Sequence, residues 1–293
     1  MPLGEILTAV GIMVCLGFGL SVVLAFANKK LYVYEDPRID VVDDMLPHAN
    51  CGACGCAGCR NFAEKAVDGT ITPGKCTVNS AEMTEKIARF LGVDAGREEK
   101  RVARLACAGG ANVARVRGIY TGMQTCRASH LIAGGGKGCA WGCLGLGDCK
   151  DVCDFGAIVM DRHGLPVVDE SKCTACGACV EICPRALFSL QPVSRRLWVA
   201  CKSLAKGEEA ERECDVACTG CGLCAADAAP GLVAIRQNLA VVDYSKNTLA
   251  SEDAIQRCPT GAIVWIDGQR GFVKGASARR ITRKSTLPPI PVG

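Results

Sequence analysis

The chain has 293 residues, a formal net charge of +4 and 22 cysteines, with aromatic residues at only 5 %. No basic stripe is interleaved with aromatics, which argues against nucleic acid as a partner. Cysteines grouped as C-x2-C on a long chain with no cleavable leader argue against a secreted disulfide scaffold and for metal in a reducing compartment.

In chain order, Ile6 to Ala27 carries no charge. As a helix it spans about 33 Å, enough for a bilayer core of about 30 Å. No basic residue precedes it, which does not suit a cleaved leader, so it reads as a membrane anchor over residues 1–28. Lys29 and Lys30 follow directly and put the C-terminal side in the cytoplasm. Gly11, Gly17 and Gly19 allow close packing with another membrane helix. Cys15 reads as a small apolar residue of the span.

Residues 29–100 read as a small α-rich domain. It opens with a polar connector from Glu35 to Asn50 and continues with Cys51-Gly-Ala-Cys54-Gly-Cys56-Ala-Gly-Cys59. A helix from Asn61 to Val67, a stop at Gly69 and a turn at Pro73-Gly74 bring Cys76 back to it. Cys51, Cys54, Cys59 and Cys76 are the four candidate ligands. Cys56 lies too close to Cys54 to share a site comfortably and reads as a spacer. Asn79 to Leu91 has helical spacing, an Asn79/Glu82 capping-box pattern and a stop at Gly92.

Residues 101–268 contain an internal duplication. VVDESKC (167–173) returns as VVDYSKN (241–247), GCAWGCLGLGDC (138–149) as ECDVACTGCGLC (213–224), and ARLACAGG (103–110) as LWVACKSL (197–204). Hairpins are expected from Ile158–Met160 with Pro166–Val168, and from Ala234–Arg236 with Ala240–Val242 across Gln237-Asn238. The run Cys173-x2-Cys176-x2-Cys179-x3-Cys183-Pro184 is the pattern that wraps a [4Fe–4S] cluster, and its fourth cysteine ligates the partner cluster in two-cluster ferredoxins. Structural zinc, the plainer alternative, uses separated Cys pairs without a Cys-Pro closure. With exchanged fourth ligands, the first copy (101–196) is expected to hold one cluster on Cys139, Cys143, Cys149 and Cys183. A second is expected on Cys153, Cys173, Cys176 and Cys179.

The second copy (197–270) is degenerate. Ala228, Asn247, Ala250 and Asp253 stand where cysteines are expected. All four losses belong to one cluster under the exchange rule. The survivors Cys218, Cys221, Cys224 and Cys258 belong to the other, so this copy is expected to hold one. The total is four [4Fe–4S] clusters. Cys107, Cys126, Cys201 and Cys214 read as buried small residues, with Cys214 a rival for the last site and an unrecognised ligand set the alternative. Residues 271–293 read as a basic, proline-rich tail, extended or disordered from Ser277, whose Arg279, Arg280, Arg283 and Lys284 suit an acidic partner or anionic lipid. His48, His130 and His163 are isolated, and Gly134-Gly135-Gly136 does not follow a strand as a dinucleotide fingerprint requires.

The layout resembles the B-subunit family of Rnf complexes, the membrane-bound ferredoxin:NAD+ oxidoreductases. The matching features are the single span, LPHANCGACGCAGCR, KC76, CLGLGDCKDVCDFGAI and KCTACGACVEICPRAL; the sequence departs at His48, Cys56, Asp154 and the lost motif at 247–257. The resemblance implies an α+β chain: a transmembrane helix, a 4Fe-4S domain and two tandem ferredoxin-like units. It implies a translocase component of the inner membrane that accepts electrons from soluble ferredoxin and relays them to flavin-bearing and iron–sulfur partners. No nicotinamide or flavin site and no bond-making catalytic set is expected in this chain. A membrane-anchored polyferredoxin feeding another reductase is the rival reading.

Overall fold

The computed structural model describes residues 3–31, 34–96, 98–268 and 271–281. Helix α1 (Leu3–Leu31) runs past both expected ends of the apolar stretch. Its Val10–Leu31 section is long and apolar enough to cross a membrane, and none of it is buried against the rest of the protein.

The expected connector folds in part. Asp36 caps α2 (Pro37–Asp44), accepting the Arg38 amide, and Pro37 takes the first turn, where a missing N–H costs nothing. α2 lies against α3 (Cys59–Val67), and Ile39, Val42, Leu46, Phe62, Ala63, Ala66 and Ile87 form a small core. Helix α4 (Ala81–Leu91) starts one residue later than the capping box at Asn79 implies. Ser80 is its cap, accepting the Met83 amide, and Gly92 closes it at φ 69°.

The duplication appears as two copies of one topology. In the first, β1 (Arg101–Leu105) leads through α5 (Cys126–Leu131) and α6 (Asp148–Asp151) to the hairpin β2 (Ile158–Met160) and β3 (Pro166–Val168). After α7 (Ala178–Ile182), β4 (Phe188–Pro192) returns antiparallel to β1. In the second, β5 (Leu197–Val199) leads through α8 (Gly207–Glu213) and α9 (Leu223–Asp227) to the hairpin β6 (Val233–Arg236) and β7 (Leu239–Val242). Then α10 (Asp253–Gln256) precedes β8 (Ile263–Asp267), which pairs antiparallel with β5. Both hairpins have the expected partners. Gln237 and Asn238 both have positive φ, 47° and 64°, as a tight two-residue turn of this hand requires.

The copies meet side by side. The Trp198 indole donates to the Leu105 carbonyl at 2.9 Å, and the Ala108 amide donates to the Ala200 carbonyl at 2.9 Å. Trp198, Ala200, Val264 and Ile266 form a core there with Ala106 and Ala108 packed against it.

The expected tail begins as structure. β9 (Gly271–Val273) extends the β5–β8 sheet, the Ser277 amide donates to the Gln256 carbonyl, and Arg279 pairs with Glu211 at 2.7 Å. Backbone pairing to a sheet edge and to α10 fixes this segment where composition alone suggested none. Arg283, Lys284 and the proline-rich end lie outside the described residues.

Candidate iron–sulfur centres

Five cavities are each lined by four cysteines, and each encloses about 320–350 Å3 including its mouth. Three quartets are those expected. Cys51, Cys54, Cys59 and Cys76 line one. The Asn50 side chain accepts the Cys59 amide at 2.8 Å and ties the start of α3 to the loop. Cys56 is absent from this lining and packs into the core beside Phe62. Cys153, Cys173, Cys176 and Cys179 line a second, and Cys218, Cys221, Cys224 and Cys258 a third.

The fourth departs from expectation. Cys143, Cys149 and Cys183 share their cavity with Cys126, and Cys139 is not among its walls. The backbone amides of Asp148, Leu146 and Gly147 favour the Cys126 thiolate, against burial, which raises its pKa. In the repeat alignment Leu146 falls opposite Cys221. Cys126, delivered by α5, therefore fills the position that Leu146 leaves without a thiol. The anchor is the Asp148 carboxylate, which accepts the Cys126 amide at 2.7 Å and the Arg127 amide at 3.3 Å. The alignment of Cys143 and Cys149 with Cys218 and Cys224 carries this signal, because it exposes one missing ligand.

Cys139 faces the remaining cavity together with Cys107, Cys201 and Cys214. Cys139 thus leaves the partnership with Cys143 that the sequence suggests, and Cys214 does not line the Cys258 cavity; Cys107 and Cys214 are buried, as expected, and the sharing of one cavity matches the alternative of an unrecognised set. With Cys15 on α1 and Cys56 in the small core, the five quartets account for every cysteine of the 22.

The electrostatics suit iron. Burial pushes the Cys143, Cys149, Cys179 and Cys224 thiols up to about 12, and neighbouring cysteines add to the shift. Burial pushes Cys201 to about 12 and Cys214 to about 11. Without metal these thiols hold their protons at neutral pH, and a metal displaces them on binding. Backbone amides offset part of the burial cost: Ala103 N–H reaches the Cys173 sulfur and Leu187 N–H the Cys183 sulfur, each at 3.4 Å. A single zinc ion needs its thiolates about 2.3 Å from one point. Here the four thiols of each quartet line the walls of a cavity. The donor set therefore fits a [4Fe–4S] cube with one thiolate at each of its four iron corners.

In the second repeat, apolar packing fills the region of the lost ligands. Ala228, Leu232, Ala254 and Ile255 form a buried core, with Tyr244 and Ala250 packed against it.

An Fe-S cluster family matches residues 46–78, and a 4Fe-4S binding domain family matches residues 166–186. The chain is 40 % identical to the B subunit of the Na(+)-translocating ferredoxin:NAD(+) oxidoreductase complex of Acetobacterium woodii, over 89 % of the chain and 78 % of that protein. It is 38 % identical to the B subunit of the proton-translocating ferredoxin:NAD(+) oxidoreductase complex of Clostridium ljungdahlii, over 86 % and 89 %. It is 34 % identical to the B subunit of the ion-translocating oxidoreductase complex of Methanosarcina acetivorans, over 88 % and 97 %.

Proposed function

The chain belongs to the B-subunit family of Rnf complexes, the ion-translocating oxidoreductases, and from that premise we propose that it accepts electrons from reduced ferredoxin and relays them to partner subunits. It is thereby one component of an oxidoreductase complex. In this reading residues 101–268 are two tandem ferredoxin-like units. The ligand sets are Cys51/Cys54/Cys59/Cys76, Cys126/Cys143/Cys149/Cys183, Cys153/Cys173/Cys176/Cys179 and Cys218/Cys221/Cys224/Cys258. The anchor α1 holds the chain in the inner membrane, and Lys29 and Lys30 keep the cysteine-rich region in the cytoplasm.

The observation that carries the reading is the contact between quartets. Thr77, next to Cys76, donates its hydroxyl to the carbonyl of Thr174, next to Cys173, at 2.6 Å. Cys149 lies within α6 and Cys153 just after it, while Cys179 lies within α7 and Cys183 closes it, so these two short elements carry ligands of two quartets each. A bound cluster takes up and releases one electron at a potential set by its surroundings. The chain's own work is to hold the cysteines, aim amides at sulfur and exclude water.

The test mixes reduced ferredoxin with the anaerobically purified, detergent-solubilised protein and follows bleaching of cluster absorbance. Bleaching within the mixing experiment, and co-purification with flavin-bearing membrane subunits, are expected. Clusters that stay oxidised with ferredoxin, or co-purification with an unrelated reductase instead, would sink the assignment and favour a polyferredoxin of other service.

A further inference from the structure

We propose that Cys107, Cys139, Cys201 and Cys214 hold a further [4Fe–4S] cluster at the seam of the two repeats, joining the first repeat to the second. This rests on the iron–sulfur electron-carrier reading and adds a site to it.

The seam cavity matches the other four in size and in its four cysteines. The cavity faced by these four thiols encloses about 320 Å3, against 330–350 Å3 for the other four. Small residues make much of its wall, among them Ala108, Gly109, Gly142 and Ala200, and Trp141 is the aromatic side chain that lines it. A Cβ on Gly109 would stand 3.0 Å from the Cys214 sulfur, so the backbone is drawn in as close as the thiols permit. Lys137 and Lys202 also line it and offset the negative charge of four thiolates.

The seam quartet follows the symmetry of the duplication. Cys107 and Cys201 are equivalent in the duplication, as are Cys139 and Cys214. Each repeat thus supplies the same pair, and the pairs meet where the repeats abut, with the Ala108 amide on the Ala200 carbonyl and a β-bridge between Ala114 and Cys214. A quartet made this way has no C-x2-C signature, because its members come from four separate segments.

The sulfurs are also held alike. Gly109 N–H donates to the Cys107 sulfur and Ser203 N–H to the Cys201 sulfur, each at 3.4 Å and each from the residue two positions on; the Trp141 and Val216 amides, at the same offset, favour the thiolates of Cys139 and Cys214. Amides at the same offset also favour the thiolates of Cys76, Cys143 and Cys218 in the motif-defined quartets. Four buried thiols serving only as small apolar residues would have no cause to share one cavity and one amide offset.

The connections give the site its role. The Cys143 amide donates to the Cys107 sulfur at 3.3 Å, and the Cys218 amide donates to the Cys201 sulfur at 3.3 Å. Cys143 belongs to a quartet of the first repeat and Cys218 to the quartet of the second. The seam site therefore touches a ligand residue of each neighbour, and one electron received from one side can leave on the other.

The test is native mass spectrometry of the anaerobic full chain in detergent, with iron and zinc analysis. The wild type is expected to carry five clusters, about twenty iron atoms. A Cys201→Ala/Cys214→Ala double variant is expected to carry about four fewer, while still reducing the first-repeat clusters with ferredoxin. A wild-type mass with four clusters, zinc in place of the fifth, or a double variant with undiminished iron overturns the seam site and leaves the electron-carrier reading intact. A wild type without iron overturns both. If the double variant does not fold, the wild-type count alone decides.

Discussion

The amide nitrogen of Cys143 lies 3.3 Å from the sulfur of Cys107, so a residue of one quartet hydrogen-bonds the sulfur of another. The equivalent bond from Cys218 to Cys201 has the same length. With the Thr77–Thr174 hydrogen bond and the shared helices α6 and α7, these bonds order the quartets into one line. It runs from Cys51–Cys76 through both first-repeat sites and the seam to Cys218–Cys258.

Among the proposed ligands of the Cys143 cavity, Cys126 is the one that local spacing does not reveal, and its removal is diagnostic. Cys126→Ala is expected to lower iron by about four atoms per chain, whereas Cys56→Ala lowers it by none. Cys258→Ala is expected to remove the second-repeat cluster alone. Iron analysis of the three anaerobic variants reads this out. Unchanged iron in Cys126→Ala would return Cys139 to the Cys143 site.

Arg185 links two sites. Its guanidinium donates to the carbonyls of Cys139 at 2.9 Å and Gly134 at 3.1 Å, and also to that of Gly142. Burial lowers its pKa, opposed by the surrounding cysteines. Arg185→Met removes charge-assisted bonds and is expected to cost about 2–3 kcal/mol of stability. It also removes a positive charge beside the Cys143 quartet, so that cluster's potential should fall. An EPR-monitored redox titration checks the sign, and an unchanged or raised potential counts against it.

Tyr244 gives a pH prediction. Its hydroxyl donates to the Leu197 carbonyl at 3.1 Å, and the Arg195 guanidinium lies 4.4 Å from the ring centroid. Burial pushes its pKa from 10.0 to about 12, against the lowering influence of Arg195 and Arg104. The folded state thus favours the neutral phenol. The associated stability is complete below about pH 10 and is lost as pH rises toward about 12. Difference absorbance between the wild type and Tyr244→Phe should show no phenolate step near pH 10, and a step there would contradict the burial. The Phe variant should lose about 1 kcal/mol.

Helix α1 makes no buried contact over its apolar section. Deleting residues 1–31 should therefore release the protein from membranes with its iron content unchanged. Loss of iron from the truncated protein would show that α1 supports a cluster site.

Much of this arrangement is legible in the sequence, and the gaps have physical causes. The hairpins at 158–168 and 233–242 are readable because their turns need residues that tolerate positive φ. The C-x2-C runs are readable because one short loop delivers several thiols. Cys126 is not, since it reaches its site from α5 through Asp148. The seam quartet is not, since its ligands converge only when two repeats pack. The segment at 37–44 looks like a connector because its helix depends on the Asp36 cap and on burying Ile39 and Val42 against α3. β9 is hidden because its order comes from pairing with β8.

Twenty of the cysteines line five cavities, each the site of one cluster in the proposed relay. The most direct measurement is the ratio of iron and acid-labile sulfide to protein in the anaerobically purified full chain. The expected ratio is about twenty of each per chain, and about sixteen or fewer in fully loaded protein would contradict a continuous five-site path.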